Sequence, residues 1–330
     1  MLIRDLLFAY YDTQCLYVAA CLNIADHLQS GPKSIAELAG LARSNEDKLY
    51  RIMRYLSAKG LFDELSGRVF QINPESACLV SSRSGGLKHF IRLHSQYFYP
   101  AASELLNSLR SDLSPFELQF GKPSGQYFQD NVEAGEVYHH AMMENSEWFA
   151  RQAVEAYDFS PYQTLVDIGG GIGTLLAAIL LKYKNAKGIN FDLPELQEPA
   201  ERYFKTKGLA SRCRFIGGDF LEGIPAGGDL YIMKSVIHGK DDSMALRLLG
   251  QFKPFLAPPV KLLVMERVLQ GSGAVYLQAC LNDINMLNVT RGRVRTYAEY
   301  EELFTRSGLT INKLYELQNA FCIMEVQLSR

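Results

Sequence analysis

Apolar residues recur at three- and four-residue spacing along "LLFAYYDTQCLYVAACLNIADHL", the period of one helix face held over more than five turns. "KSIAELAGLA" predicts a shorter helix, with Ser34 at its N-cap and Glu37 three residues on to close a capping box. "SNEDKLYRIMRYLSAKG" predicts another, capped by Ser44, with Glu46 and Asp47 in the first turn and Lys59-Gly60 as the stop. "LFDELSGRVFQIN" then alternates as two short strands joined at Ser66-Gly67. Residues 96–160 return to helical spacing, rich in Tyr, Phe and Met, with loops near "SDLSP" and "FGKPSG".

From Thr164 the texture changes to short apolar runs of strand character: "TLVDIGGG", "AKGINFDLP", "CRFIGGDF", "DLYIMKSVIH" and "KLLVMERVL". Helical patterns such as "TLLAAILLKYK" and "MALRLLGQFKPFL" separate them, which predicts a parallel sheet with helices on both faces. The tail "LTINKLYELQNAFCIMEVQL" adds two strands turning at Gln318-Asn319, an antiparallel edge. Helix, helix, helix, hairpin is the order of a winged helix. The patterns thus divide the chain into a winged-helix domain over 1–95, a helical connector over 96–160 and a sheet domain over 161–330. In "DLYIMKSVIH" the strand reads from Leu230 to Ile237, and His238 stands at its end.

Composition narrows the class. In 330 residues nearly half are hydrophobic, enough for a sizeable core. A net charge of −2 and a pI near 6.3 give no bulk attraction to nucleic acid or anionic membrane. The cysteines Cys15, Cys21, Cys78, Cys213, Cys280 and Cys322 form no C-x-x-C pair and have no His at ligand spacing. They read as small core residues in a reducing compartment, with no zinc site and no disulfide framework. No apolar run reaches the ~18 residues a bilayer span needs, and Asp5 and Asp12 make the N-terminus unlike a secretory signal. A soluble cytoplasmic protein is expected. Lys48, Arg51 and Arg54 on the third helix raise one rival, a ligand-responsive DNA-binding regulator. Residues 1–100 hold eleven Lys and Arg against nine Asp and Glu, and that helix opens "NEDK", with acids where bases would be met. Nucleic acid is not an expected partner.

"LVDIGGGIGT" follows a strand and opens a helix, as a cofactor loop should. The nicotinamide fingerprint G-x-G-x-x-G/A fails, since the sixth position from Gly169 is Thr174. The pattern that fits is D-x-G-x-G-x-G: Asp167, Gly169, Gly171, Gly173. A carboxylate before the loop repels a pyrophosphate but suits a cofactor with an ammonium group, and S-adenosylmethionine (SAM) carries one. Nineteen residues after Gly173, Asp192 ends the next strand, placed to accept both ribose hydroxyls. A third strand end supplies Asp219 for the adenine amino group and Phe220 as an apolar face for the ring.

With "FDLP", "GDF", "DLYIMKSVIH", "LLVMERVL", "NDINMLNVTRGRVRT", "VYHHAMMENS" and "FELQFG", this loop makes nearly the whole chain resemble the SAM-dependent small-molecule O-methyltransferases. Caffeate, acetylserotonin and bacterial polyketide and phenazine enzymes belong to that family. The resemblance implies a Rossmann-like class I methyltransferase α/β domain, mostly parallel with an antiparallel edge strand, behind an N-terminal α-helical winged-helix dimerisation domain. It implies a homodimer, SAM as cofactor, no metal, and methylation of a phenolic hydroxyl on a small aromatic or polyketide-like molecule. It assigns Lys234, and Leu193 beside Asp192, to the cofactor. His238 becomes the general base, because a phenol of pKa near ~10 needs deprotonation that imidazole near ~6.5 provides at neutral pH. Glu266 would hold the base's ring, and Met142, Asp283, Met286 and Leu287 would line the substrate pocket. Two departures stand out: Gly239 and Lys240 replace the Asp and Trp of the family's "HDW", and Val294 replaces a second glutamate. They leave room for an alternative in which SAM serves non-methylating chemistry such as hydroxylation, decarboxylation or pericyclisation.

Overall fold

A computed structural model describes residues 2–81 and 83–329. The chain forms two compact units, one of residues 1–100 with 128–145 and the other of 101–127 with 146–330. The segment 96–160 therefore contributes to both.

In the first unit the long apolar pattern folds as two helices, α1 (Leu2–Cys21) and α2 (Ile24–Leu28), because Asn23 takes a left-handed turn with φ of 55°. Helix α3 (Ile35–Leu41) starts in a capping box: Glu37 N donates to Ser34 Oγ and Ser34 N to Glu37 Oε2. Helix α4 (Glu46–Ala58) is capped by Asn45, not by Ser44; Asn45 Oδ1 accepts from Lys48 N at 3.0 Å. A cap must reach the amide three residues on, which sets the start one residue later than the sequence reading. Strands β1 (Lys33–Ser34), β2 (Asp63–Leu65) and β3 (Val69–Gln71) pair in the order β1-β3-β2, completing the winged-helix order. Tyr55 Oη and Lys59 Nζ both bond Asp12, at 2.5 and 3.1 Å, and so tie α4 to α1. The start of α1 leaves Leu2, Ile3, Leu6, Leu7, Phe8 and Tyr11 exposed. No helix among the described residues is long and apolar enough to cross a membrane.

The second unit is built on a seven-stranded sheet. Its strands are β4 (Thr164–Ile168), β5 (Lys187–Asp192), β6 (Cys213–Gly217), β7 (Leu230–Lys234), β8 (Lys261–Arg267), β9 (Leu309–Glu316) and β10 (Phe321–Leu328). The order is β6-β5-β4-β7-β8-β10-β9, parallel through β8 and antiparallel beyond it. Alternate residues enter two cores. Leu165, Ile232, Leu263 and Ile323 pack beneath the helices Thr174–Lys182 and Gln197–Thr206; Val166, Tyr231, Val264 and Met324 pack against Asp242–Gly250 and Tyr297–Arg306. Each such side chain contributes about 1.5–3 kcal/mol by leaving water. Because β4 to β8 run parallel, their carboxyl ends share one edge of the sheet, and the order reverses between β4 and β7. Ligands of open α/β sheets bind at such a switch point.

Candidate active site

Five strand ends meet at this edge. Asp167 lies in β4, Asp192 closes β5, Asp219 follows β6, Lys234 closes β7 and Glu266 is in β8. The loop after β4 carries the three spaced glycines, and all three have left-handed backbone: φ is 69° at Gly169, 60° at Gly171 and 85° at Gly173. That conformation is why glycine recurs at every second position there. Gly170 is glycine for a different reason, since a methyl group on it would lie 2.1 Å from Asn190 Oδ1 and 2.9 Å from Asp167 Oδ2.

The loop is clamped from β5. Asn190 Nδ2 donates to Gly171 O at 2.7 Å, and Asp192 Oδ2 accepts from Gly171 N at 2.6 Å. Asn190 is fully buried and is paired in register with Asp167. Sequence reasoning missed it; a polar residue amid the apolar run "GINF" was the available signal. Asp192 Oδ1 also accepts from Leu193 N. Burial raises the Asp192 carboxyl, against the pull of these two N–H groups.

Asp167 is almost wholly buried, and its Oδ1 has no hydrogen-bond partner among the described residues. Burial pushes its pKa up to about 7, with the Lys234 charge opposing and the Asp192 charge adding. Burial in turn lowers Lys234, whose Nζ sits 5.6 Å from the Phe149 ring centre. A buried carboxylate oxygen with no hydrogen bond favours a donor, and an ammonium group brought to the loop supplies one. Asp219 is exposed and accepts from Leu221 N; Phe220 beside it lies under Lys240, whose Nζ is 5.5 Å from the ring centre. These residues fit the amino-acid, ribose and adenine parts of SAM.

His238 does not end a strand, contrary to the sequence reading. β7 stops at Lys234, Ser235 turns the chain with φ of 57°, and Ile237–Gly239 form a single 3-10 turn. Glu266 is the reason. Its fully buried carboxylate accepts through Oε1 from the N–H groups of Val236 (2.9 Å), Ile237 (2.7 Å) and His238 (3.3 Å). Its Oε2 lies 2.8 Å from His238 Nδ1. Burial would raise the Glu266 carboxyl, but the charge and hydrogen bonds of His238 and the turn outweigh it and hold the pKa below the ordinary value.

On the helix Gly273–Val289, Asp283 accepts from Val294 N at 2.8 Å, Met286 is buried and Leu287 is exposed. Met142 is half-buried on the helix Val132–Ala156 and belongs to the first unit.

Comparison with known proteins follows the same lines. Residues 101–310 match the family model of an O-methyltransferase domain, and residues 4–82 that of an O-methyltransferase dimerisation domain. The chain is 32% identical over 326 residues to the phenazine O-methyltransferase PhzM of Lysobacter antibioticus, covering 99% of this chain and 95% of that protein. The crystal structure of LaPhzM superposes with a TM-score of 0.93 at 32% identity, covering 99% and 98% of the two chains. NcsB1, a neocarzinostatin-biosynthesis O-methyltransferase solved with SAM and 2-hydroxy-5-methyl naphthoic acid, gives a TM-score of 0.80 at 26% identity, covering 96% of each chain. Aclacinomycin 10-hydroxylase RdmB of Streptomyces purpurascens is 30% identical over 302 residues, 90% of this chain and 80% of that protein.

The glycine loop generates a stability ordering. Gly171→Ala meets open space and should cost about 1–2 kcal/mol for its left-handed backbone. Gly170→Ala must displace Asn190 or Asp167 and should cost about 3 kcal/mol or more. Urea unfolding of the two variants measures this, and an equal loss would mean that the residues under the loop relax freely.

Proposed function

The chain belongs to the O-methyltransferase family and is a SAM-dependent enzyme of secondary metabolism, and from that premise we propose that it methylates a phenolic hydroxyl of a small aromatic or polyketide-like molecule, with His238 as general base. One observation carries the proposal: the fully buried carboxylate of Glu266 places Oε2 2.8 Å from His238 Nδ1. That close approach sets Nδ1 toward the carboxylate and makes Nε2 the nitrogen that takes a proton.

In this reading Asp167 receives the ammonium group of SAM, while Gly169, Gly171 and Gly173 let the backbone approach it. Asp192 with Leu193 takes the ribose, Asp219 and Phe220 take the adenine, and Lys234 stands near the cofactor. Bound SAM supplies a methyl group already activated by its sulfonium charge. The protein then has to orient the hydroxyl and remove its proton. Glu266, whose carboxyl His238 and the turn hold below the ordinary value against the effect of burial, sets its charge beside the ring that takes the proton. Asp283, Met286 and Leu287 are the proposed substrate-facing residues of their helix, and Met142 keeps its assignment to the substrate from sequence. The departures at Gly239 and Val294 leave Glu266 as the carboxylate on which the base relies. We also propose a homodimer through residues 4–82, supported by the family's dimerisation domain and by the bare apolar start of α1.

Three outcomes are expected. SAH (S-adenosylhomocysteine) affinity, by calorimetry, should fall about tenfold per pH unit below pH 7 and level off above it. The sign follows from Asp167: its raised carboxyl must lose a proton to pair with the ammonium, and that costs more as pH drops through about 7. Asp167→Asn should bind weakly with no such slope, whereas a flat profile in the native protein would move the ammonium elsewhere. His238→Gln should retain SAH binding but lower turnover by roughly 10²–10⁴, most at neutral pH. The assay is SAH release with phenolic acceptors, 2-hydroxy-5-methyl naphthoic acid among them. Undiminished turnover would remove His238 from the chemistry, and acceptor consumption without SAH would favour the non-methylating alternative. In sedimentation at micromolar concentration the native chain should be a dimer and Leu6→Asp/Phe8→Asp a monomer; a monomeric native chain overturns the dimer.

A further inference from the structure

Glu266 takes the N–H groups of the His238 turn, but the turn's carbonyls must also be satisfied. One side chain takes two of them. Arg295 is 1% exposed, and its Nη1 donates to Ile237 O at 3.2 Å while Nη2 donates to Lys240 O at 3.0 Å. The same guanidinium bonds Asp242 Oδ1 from Nε at 3.1 Å and Nη2 at 2.6 Å. Arg295 thus grips the residues immediately before and two after His238. Its own backbone is anchored to the sheet domain: Leu269 N donates to Arg295 O at 2.9 Å.

The neighbouring residues press on the same turn. A methyl group at Gly292 would lie 2.0 Å from His238 O and 2.7 Å from Gly239 Cα, so the two backbones touch where both residues lack side chains. Arg293 bonds Asp242 at 3.1 Å, and Arg291 forms a two-point ion pair with Glu117, at 2.7 and 3.1 Å. The irregular segment 291–296, bridged to Val268 at Arg295, therefore lies as a strap against the turn, tied to Asp242 and to Glu117.

We infer that Arg295 is a positioning residue for His238, locking the carbonyl side of the turn whose N–H side Glu266 locks. A burial this complete is costly for a guanidinium unless its donors are used, and here they are spent on the turn and on Asp242. Lysine cannot reproduce a fork that reaches two carbonyls and a carboxylate at once. The inference explains how the turn keeps its shape with Gly239 and Val294 where the family resemblance places acids. It rests on His238 being the base for its consequence in turnover, but not for its consequence in the turn itself.

The experiment uses the full chain with Arg295→Lys and, separately, Asp242→Asn, which leaves the buried arginine in place and so guards against misfolding. Thermal melts and SAH calorimetry identify folded variants with unchanged cofactor affinity. In those, the amides of Val236, Ile237 and His238 should exchange at least tenfold faster while the β7 amides do not. Turnover should fall roughly 10²-fold, as expected when a catalytic group loses its placement. Asp242→Glu should recover part of it. In a His238→Gln background, Arg295→Lys should add no further loss. Unchanged exchange of the three amides, or losses that multiply with His238→Gln, would overturn the inference. If His238→Gln itself leaves turnover intact, the base assignment fails, and the exchange data still decide the role of Arg295.

Discussion

A single buried carboxylate organises the catalytic edge. Glu266 has no exposure, and an unpaired charge there would cost several kcal/mol. It is made tolerable by three backbone N–H groups and the His238 ring. Those N–H groups become available only if β7 stops pairing at Lys234, so the strand ends where Glu266 needs donors. Ser235 pays with a left-handed backbone, and the 3-10 turn follows. The register that sets Lys234 beside Met265 brings Glu266 level with the residues just beyond the strand. The placement of His238 is thus a consequence of charge burial at the neighbouring strand.

The glycine loop solves a related problem with different means. Asp167 is buried, and burial outweighs the opposing charge of Lys234 and raises its carboxyl to about 7. Asn190 and Asp192 hold Gly171 by its carbonyl and its N–H, so the loop is already shaped before a ligand arrives. A preformed loop loses little freedom on binding, and the unmet carboxylate supplies the attraction. At the far side of the edge Lys240, at the sequence position of the family's tryptophan, sets its Nζ 5.5 Å from the Phe220 ring centre; burial lowers its ammonium, against the charges of Asp219 and Asp241. The cofactor edge and the His238 turn are therefore joined by one short segment, residues 234–242.

The amino-acid order by itself determined the two element patterns, the parallel sheet with its antiparallel tail, and the capping box at Ser34. It also determined the glycine loop, because a left-handed backbone at alternate positions leaves a direct mark in residue type. The acids at the strand ends were legible for the same reason: "VDIGGG", "NFDLP" and "GGDF" place charge where an apolar run stops. Tertiary structure decided what those residues do to one another. Periodicity reports burial and not its cause, so Val236 and Ile237, buried over a turn, read as two more strand residues. Asn45 displaced Ser44 as a cap because the choice rests on which side chain reaches an amide. Asn190 and Arg295 drew no notice, since their partners are 19 and 53–58 residues away in the chain. A buried polar group is defined by the donors and acceptors around it, and those are assembled only when distant segments fold together.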